Sequence, residues 1–131
     1  MLHPNQFQVD DAWIVFKLSE VPVSTERDGD LHFFALMDAA SCYILGVTPV
    51  PAEAGELSVK DAQELFAEGE AHKRALPKTL FIPLEQPANL LAAVAEGRGI
   101  GVVRVAEAQL LTFIREAREG FRENIGGRRV Q

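Results

Sequence analysis

The sequence predicts a single α/β domain built on a mixed β-sheet, and three observations lead to this. Apolar runs rich in β-branched and aromatic residues occur beside segments with helical apolar spacing, so both strands and helices are expected. Strands come first in the chain, and strands separated by helices follow. The 131 residues, of which 47% are apolar, are enough for one packed core.

Three strands are predicted in the N-terminal part of the chain, and they span 12–18, 31–37 and 42–48. Between the first two, residues 25–30 place Gly29 between aspartates, which is typical of a turn. Only four residues join the second and third strands, whereas a parallel pair needs a crossover of about a dozen. These strands are therefore predicted to form an antiparallel meander.

Helices and strands alternate in the rest of the chain. Helices are predicted over 59–75, 88–96 and 109–124, with strands over 79–84 and 100–105. Ser58 and Asp61 resemble a capping box at the start of the first helix, and Gly97 ends the second. The last helix carries an apolar stripe made of Leu110, Phe113, Ile114, Ala117 and Phe121.

The predicted order is thus β-β-β-α-β-α-β-α, which gives a three-layer α/β fold. Its five-stranded mixed sheet has three antiparallel strands followed by two parallel ones, with helices on both faces. Residues 1–125 are expected to form the domain, and 126–131 a flexible tail after Gly126 and Gly127.

Charge and composition restrict the class of protein. Residues 1–103 carry 7 basic and 15 acidic side chains, a net charge of −8, and residues 104–131 carry 6 and 4, a net charge of +2. The acidic body disfavours nucleic acid as a partner. The lone Cys42 fits a reducing cytoplasm, and neither a signal peptide nor a membrane span is predicted.

Two features resemble the ribonuclease H-like superfamily, in particular the catalytic cores of integrases and transposases. They are the element order and the turn Leu36-Met37-Asp38-Ala39-Ala40-Ser41, which is followed by a strand through Ile44-Leu45-Gly46. In those cores the second strand often runs into a turn of the form Val-Asp-x-x-Ser. The resemblance covers roughly residues 10–123 in topology and about ten residues in motif.

The resemblance implies two-metal cleavage of phosphodiesters, in which carboxylates hold Mg²⁺ or Mn²⁺ ions about 4 Å apart. It requires an aspartate in the middle of the first strand, an acid after the fourth strand and a third on the final helix. The segment 13–18 contains no acid. Glu85 could stand at the second position, and Glu107 or Glu116 at the third. A rearranged catalytic and metal-binding set of Asp38, Glu85 and Glu107 is therefore the enzyme hypothesis.

Other candidate residues have simpler structural interpretations. Asp38 and Ser41 could bind a cation or a hydroxyl. An Asp-x-x-Ser stretch between two strands, however, more often forms hydrogen bonds to its own backbone and closes the turn. His32, Cys42 and Asp38 could assemble a thiol nucleophile, but a cysteine at the start of a buried strand is usually a small hydrophobe. His72 fits the C-terminal end of a helix dipole, and the histidines lack the spacing of a zinc site.

The leading functional prediction is a non-catalytic binding or assembly module with a degenerate ribonuclease H-like fold and no cofactor. The alternative is the divalent-metal phosphodiesterase described above. A nucleic-acid binder would depend on the C-terminal arginines Arg115, Arg118, Arg122, Arg128 and Arg129. The simpler interpretation of that helix is a solvated face on which arginines alternate with glutamates. Apolar surface left by the predicted elements is compatible with a homodimer.

Overall fold

A computed structural model describes residues 1–8 and 11–130, and side chains as far as residue 124. The strands are β1 (Ala12–Lys17), β2 (Val23–Thr25), β3 (Gly29–Asp38), β4 (Ile44–Pro51), β5 (Thr79–Pro83) and β6 (Gly101–Val105). The α-helices are α1 (Val59–Lys73), α2 (Asn89–Gly97) and α3 (Leu111–Val130). The fold is therefore α/β, with helices following the first strands as predicted.

The six strands form one mixed sheet with β1 at its centre. On one side β1 pairs with β3 antiparallel, and β3 pairs with β4 antiparallel. On the other side β1 pairs with β5 parallel, and β5 pairs with β6 parallel. The predicted strand directions are confirmed.

The predicted number of five strands is wrong, because β2 adds a sixth. This strand of three residues pairs with the first residues of β3, with Val23 opposite Leu31 and Thr25 opposite Gly29. Gly29 has a φ of +73°, which lets the chain turn tightly between them. Three residues are too few for a periodic pattern, so the pairing depends on the long partner strand rather than on local sequence.

Both faces of the sheet are covered, which confirms the three layers. Side chains of β1 alternate between two apolar clusters, with Trp13 in one and Ile14 in the other. The Trp13 cluster includes Phe66 of α1 and Leu91 of α2. The Ile14 cluster includes Ile114 of α3. The central strand is therefore buried on both sides, which explains its continuous apolar run.

Helix α1 approaches the sheet at a glycine. A Cβ atom built on Gly69 would lie 2.6 Å from Cη2 of Trp13 and 2.9 Å from Cδ2 of Leu36. Real Cβ atoms do not come that close to other carbons, so only glycine permits this packing distance. The tryptophan ring instead fills the space above the glycine and stacks on Phe66.

The ends of the helices agree only in part with the sequence predictions. Ser58 Oγ accepts a hydrogen bond from the backbone N–H of Asp61 at 3.1 Å, so the predicted N-cap of α1 is confirmed. Helix α3 continues to Val130, past the predicted end at residue 124. The side chains of the predicted tail, 126–131, lie outside the described residues. Within the described part of the chain, no helix is long and apolar enough to cross a membrane.

Candidate ligand pocket

A pocket of about 420 Å³ opens where β1 and β5 end. Its walls include Lys17, the last residue of β1, and Glu85 and Gln86, which follow β5. The chain leaves β1 toward β3 on one side of the sheet, whereas β5 lies on the other side. In open α/β sheets, ligands bind outside the carboxyl ends of the strands at such a switch in strand order. The pocket therefore occupies the position where this type of sheet offers a binding site.

Gln86 joins the two strand ends. Its Oε1 accepts a hydrogen bond from the backbone N–H of Lys17 at 3.1 Å, and only 8% of the residue is exposed. Arg104 of β6 fixes the loop that carries it, because its Nη2 donates to the carbonyl oxygens of Pro83, Leu84 and Gln86. The position of the Gln86 side chain is thus set by hydrogen bonds from two different strands.

Glu85, Glu107 and Arg118, which come from different elements, form a charged network beside these contacts. Glu85 Oε1 accepts a hydrogen bond from the backbone N–H of Glu107 at 2.9 Å. Glu107 Oε1 in turn lies 2.7 Å from Nη2 of Arg118 on α3. Arg118 also donates from Nε and Nη2 to the carbonyl oxygen of Lys17, at 3.0 and 2.9 Å. A largely buried guanidinium therefore neutralises the Glu107 carboxylate at the pocket and holds the end of β1.

His32 lines the pocket from β3. Ser19 Oγ lies 3.1 Å from its Nδ1 and accepts a hydrogen bond from the backbone N–H of Phe33. Burial lowers the pKa of His32 below its ordinary value of 6.5, the positive charge of Lys17 lowers it further, and a hydrogen bond with the Ser19 backbone acts in the opposite direction. Burial and the Lys17 charge therefore both favour the neutral form of the ring.

The three carboxylates of the enzyme hypothesis do not form one site. Glu85 and Glu107 meet at the pocket, as described. Asp38 pairs with Trp13 near the start of β1, whereas Lys17 lies at its end. The rise of a strand puts these ends about 13 Å apart, well beyond the spacing of two bridged metal ions. The described residues contain no group of three or more His, Cys, Asp or Glu side chains able to hold a metal.

Asp38 instead closes the turn between β3 and β4, as the simpler interpretation predicts. Its Oδ2 accepts from Ser41 N–H at 3.0 Å and from Ser41 Oγ at 2.7 Å, and Lys73 Nζ lies 3.8 Å from its Oδ1. Cys42 follows with a φ of +61°, and burial together with the charges of Asp38 and Glu116 raises the pKa of its thiol. Glu116 therefore acts on Cys42 and is not among the residues that line the pocket.

The length of β3 contradicts the thiol-nucleophile hypothesis, because it separates His32 from Asp38 and Cys42. His32 and Asp38 are six residues apart on the same strand, β3, which separates them by about 20 Å. His72 packs its ring edge-on against Tyr43, with 5.9 Å between the centroids, in the last turn of α1. His32 is therefore not placed to activate Cys42.

The arginines of α3 are not a uniform solvated face. Arg118 has only 11% of its side chain exposed and binds Glu107, and Arg122 Nη2 lies 3.2 Å from Oε1 of Glu20. Arg115 is exposed, whereas the side chains of Arg128 and Arg129 lie outside the described residues. Two of the arginines offered as nucleic-acid contacts are thus paired with carboxylates of this chain.

Sequence patterns did not single out Lys17, Gln86 or Arg104 as site residues. For Lys17 and Gln86 the available signal was their position, because polar residues at or just after the end of a buried strand lie at the carboxyl edge of the sheet, where ligands bind. For Arg118 the helical spacing was misleading. It places the residue next to the apolar stripe, and a long side chain there reaches past the stripe to the end of β1.

Comparisons with known proteins show a likeness of fold. No protein family model matches the chain, and no curated protein matches it. Among solved structures, a chain in the cryoEM structure of the simian T-cell lymphotropic virus intasome in complex with PP2A regulatory subunit B56 gamma is similar to it, with a TM-score of 0.58 and 10% sequence identity. The match covers 88% of this chain and 39% of that chain, so this chain spans well under half of the neighbour's length. At this identity the likeness concerns the fold alone.

Proposed function

We propose that this chain is a non-catalytic binding module with a degenerate ribonuclease H-like fold of the integrase-core type, and that its ligand occupies the pocket at the ends of β1 and β5. The strand order and directions, together with the likeness to a chain of a retroviral intasome, support the fold part of this proposal. The position of the pocket at the switch in strand order supports the binding part.

The ion pair between Glu107 and Arg118 carries the non-catalytic part of the proposal. A two-metal centre needs carboxylates whose oxygens are available to the ions. At this pocket the guanidinium of Arg118 lies 2.7 Å from Glu107 Oε1, and a backbone N–H occupies Glu85 Oε1. The middle of β1, where the resemblance requires an aspartate, contains only buried apolar side chains. An internal cation thus takes the place that a metal ion would need.

Thermal unfolding in the presence of metal ions tests this proposal. The melting temperature is measured in millimolar Mg²⁺ or Mn²⁺ and in NaCl of the same ionic strength. A preformed metal site would stabilise the fold by about 2.7 kcal/mol when the ion is present at one hundred times its dissociation constant. We expect no difference between the salts. A saturable rise with either metal would contradict the proposal and favour the phosphodiesterase.

A further inference from the structure

The carboxylates that line the pocket are all partnered within the chain. Glu85 accepts from a backbone N–H, Glu107 binds Arg118, and Glu20 lies 3.2 Å from Arg122. Each of these carboxylates already accepts a hydrogen bond from another residue of the chain, and Glu107 and Glu20 are also neutralised by an arginine. The acidic side chains of the pocket are therefore poor attractants for a cation from solution.

Two hydrogen-bond donors of the pocket residues, in contrast, have no partner within the described part of the chain. Because the backbone N–H of Lys17 can only donate, Gln86 must turn its Oε1 toward it, and its Nε2 is left buried with no partner. The Lys17 ammonium forms no ion pair within the described part of the chain. Buried donors without a partner are rare in folded proteins, since leaving one unsatisfied costs about 1–3 kcal/mol. An acceptor from outside the chain would satisfy both groups.

The remaining wall of the pocket is apolar. Phe34 and Val50 line it from β3 and β4, and Pro51 and Pro87 add ring surfaces. Phe34 and Val50 are themselves almost fully buried in the neighbouring core, so this wall is rigid. A ligand that fits the pocket needs an apolar part facing these residues and an acceptor facing Lys17 and Gln86.

Charge decides what kind of acceptor is favoured. Among the charged side chains that line the pocket, Arg118 is paired with Glu107, Glu20 is paired with Arg122, and Glu85 accepts a backbone hydrogen bond, so Lys17 is the lining cation that has no ion pair within the described residues. Resting on the proposed function, we infer that the pocket binds a small organic carboxylate with an apolar body, whose oxygens accept hydrogen bonds from Lys17 Nζ and Gln86 Nε2.

Binding of sodium benzoate to the ¹⁵N-labelled full chain tests the inference, with benzamide as a neutral probe of nearly the same shape. Amide chemical shifts are followed at constant ionic strength. Benzoate should cause saturable shifts centred on Lys17, Gln86 and Glu107, and benzamide should bind at least about tenfold more weakly, the loss expected for one charge-assisted hydrogen bond. Equal affinities would overturn the inference, as would benzoate shifts that are scattered over the surface and do not saturate.

Variants of Lys17 test whether the positive charge of this side chain is needed for benzoate binding. Lys17→Met should weaken benzoate binding about tenfold, Lys17→Arg should restore it, and Lys60→Met, at an exposed position of α1, should leave it unchanged. Unchanged binding in Lys17→Met would overturn the inference. If inorganic phosphate binds more tightly than benzoate, the site is a general anion site and the apolar part of the inference is wrong.

The same samples distinguish this inference from the proposed function. Titration with Mg²⁺ in place of benzoate reports on the metal-site alternative. A pocket that binds benzamide as well as benzoate and ignores Mg²⁺ would keep the binding module and reject the carboxylate ligand. A pocket that binds Mg²⁺ would reject the module itself.

Discussion

Arg118 on α3 donates two hydrogen bonds to the carbonyl oxygen of Lys17, 101 residues earlier in the chain. The same guanidinium binds Glu107, so one side chain ties the last helix to the ends of β1 and β6. The sequence predicts a solvated arginine at this position, and that prediction is wrong. The guanidinium lies at the edge of the core because two acceptor atoms, the Lys17 carbonyl oxygen and Glu107 Oε1, converge there and take three hydrogen bonds from it.

Replacing Arg118 with alanine should therefore destabilise the protein strongly. The substitution leaves the Lys17 carbonyl and the Glu107 carboxylate without their donor, and lost hydrogen bonds to a charged group cost about 1.5–3 kcal/mol. Arg115→Ala, at an exposed position of the same helix, should change stability by less than about 0.5 kcal/mol. Urea denaturation compares the two. Equal effects would show that the contacts of Arg118 contribute nothing to stability.

Two glycine substitutions should have opposite signs. Gly69→Ala places a methyl group against Trp13 and should cost about 1–3 kcal/mol through overpacking. Gly120→Ala meets no atom within 4 Å and should stabilise α3 by about 0.5–1 kcal/mol, because alanine is the better helix former. Calorimetric melting temperatures measure both effects. A stabilised Gly69→Ala variant would mean that α1 can move away from the sheet without loss.

Ile114 tests the apolar stripe of the last helix. Its side chain is fully buried between α3 and the sheet, so Ile114→Ala should cost about 2–5 kcal/mol. Leu90 on α2 is 42% exposed, and truncating it to alanine should cost much less. Denaturation midpoints that fall equally for both variants would contradict the burial described for α3.

His32 should titrate below pH 6.5 in the folded protein, because burial and the nearby Lys17 charge both disfavour its protonation. The unfolded chain then binds more protons than the folded one in this range. The stability contributed by the neutral ring is complete above pH 6.5 and is lost as the pH falls through the folded pKa. NMR titration of the imidazole protons measures the pKa of His32. Lys17→Met should raise the midpoint, and Lys60→Met should not.

The sheet was predictable from the sequence because its strands are long apolar runs with clear boundaries. Residues 12–18 read as a strand from composition alone, and the four-residue connection before Cys42 fixed the antiparallel pairing. The short strand β2 was not predictable, since its pairing arises from the length of β3. Local patterns specify elements that stabilise themselves by burial, and they miss those that depend on a distant partner.

The pocket was harder to predict for the same reason. Its residues come from elements far apart in the chain, so no spacing in the sequence joins Lys17 to Gln86 or Glu85 to Glu107. Glu85 and Glu107 were identified as chemically relevant, but Asp38 was grouped with them although β1 separates it from the pocket. A sequence shows which residues are carboxylates. Whether their side chains meet at one site depends on the directions of the strands that carry them.

Paramagnetic NMR with Mn²⁺ tests the central claim, that Arg118 rather than a metal ion neutralises the carboxylate at the pocket. Micromolar Mn²⁺ is added to the ¹⁵N-labelled protein, and line broadening is followed for the amides of Glu85, Gln86 and Glu107. We predict no selective broadening of these amides relative to exposed acidic positions such as Glu64 and Glu96. Selective, saturable broadening at the three pocket amides would contradict the account.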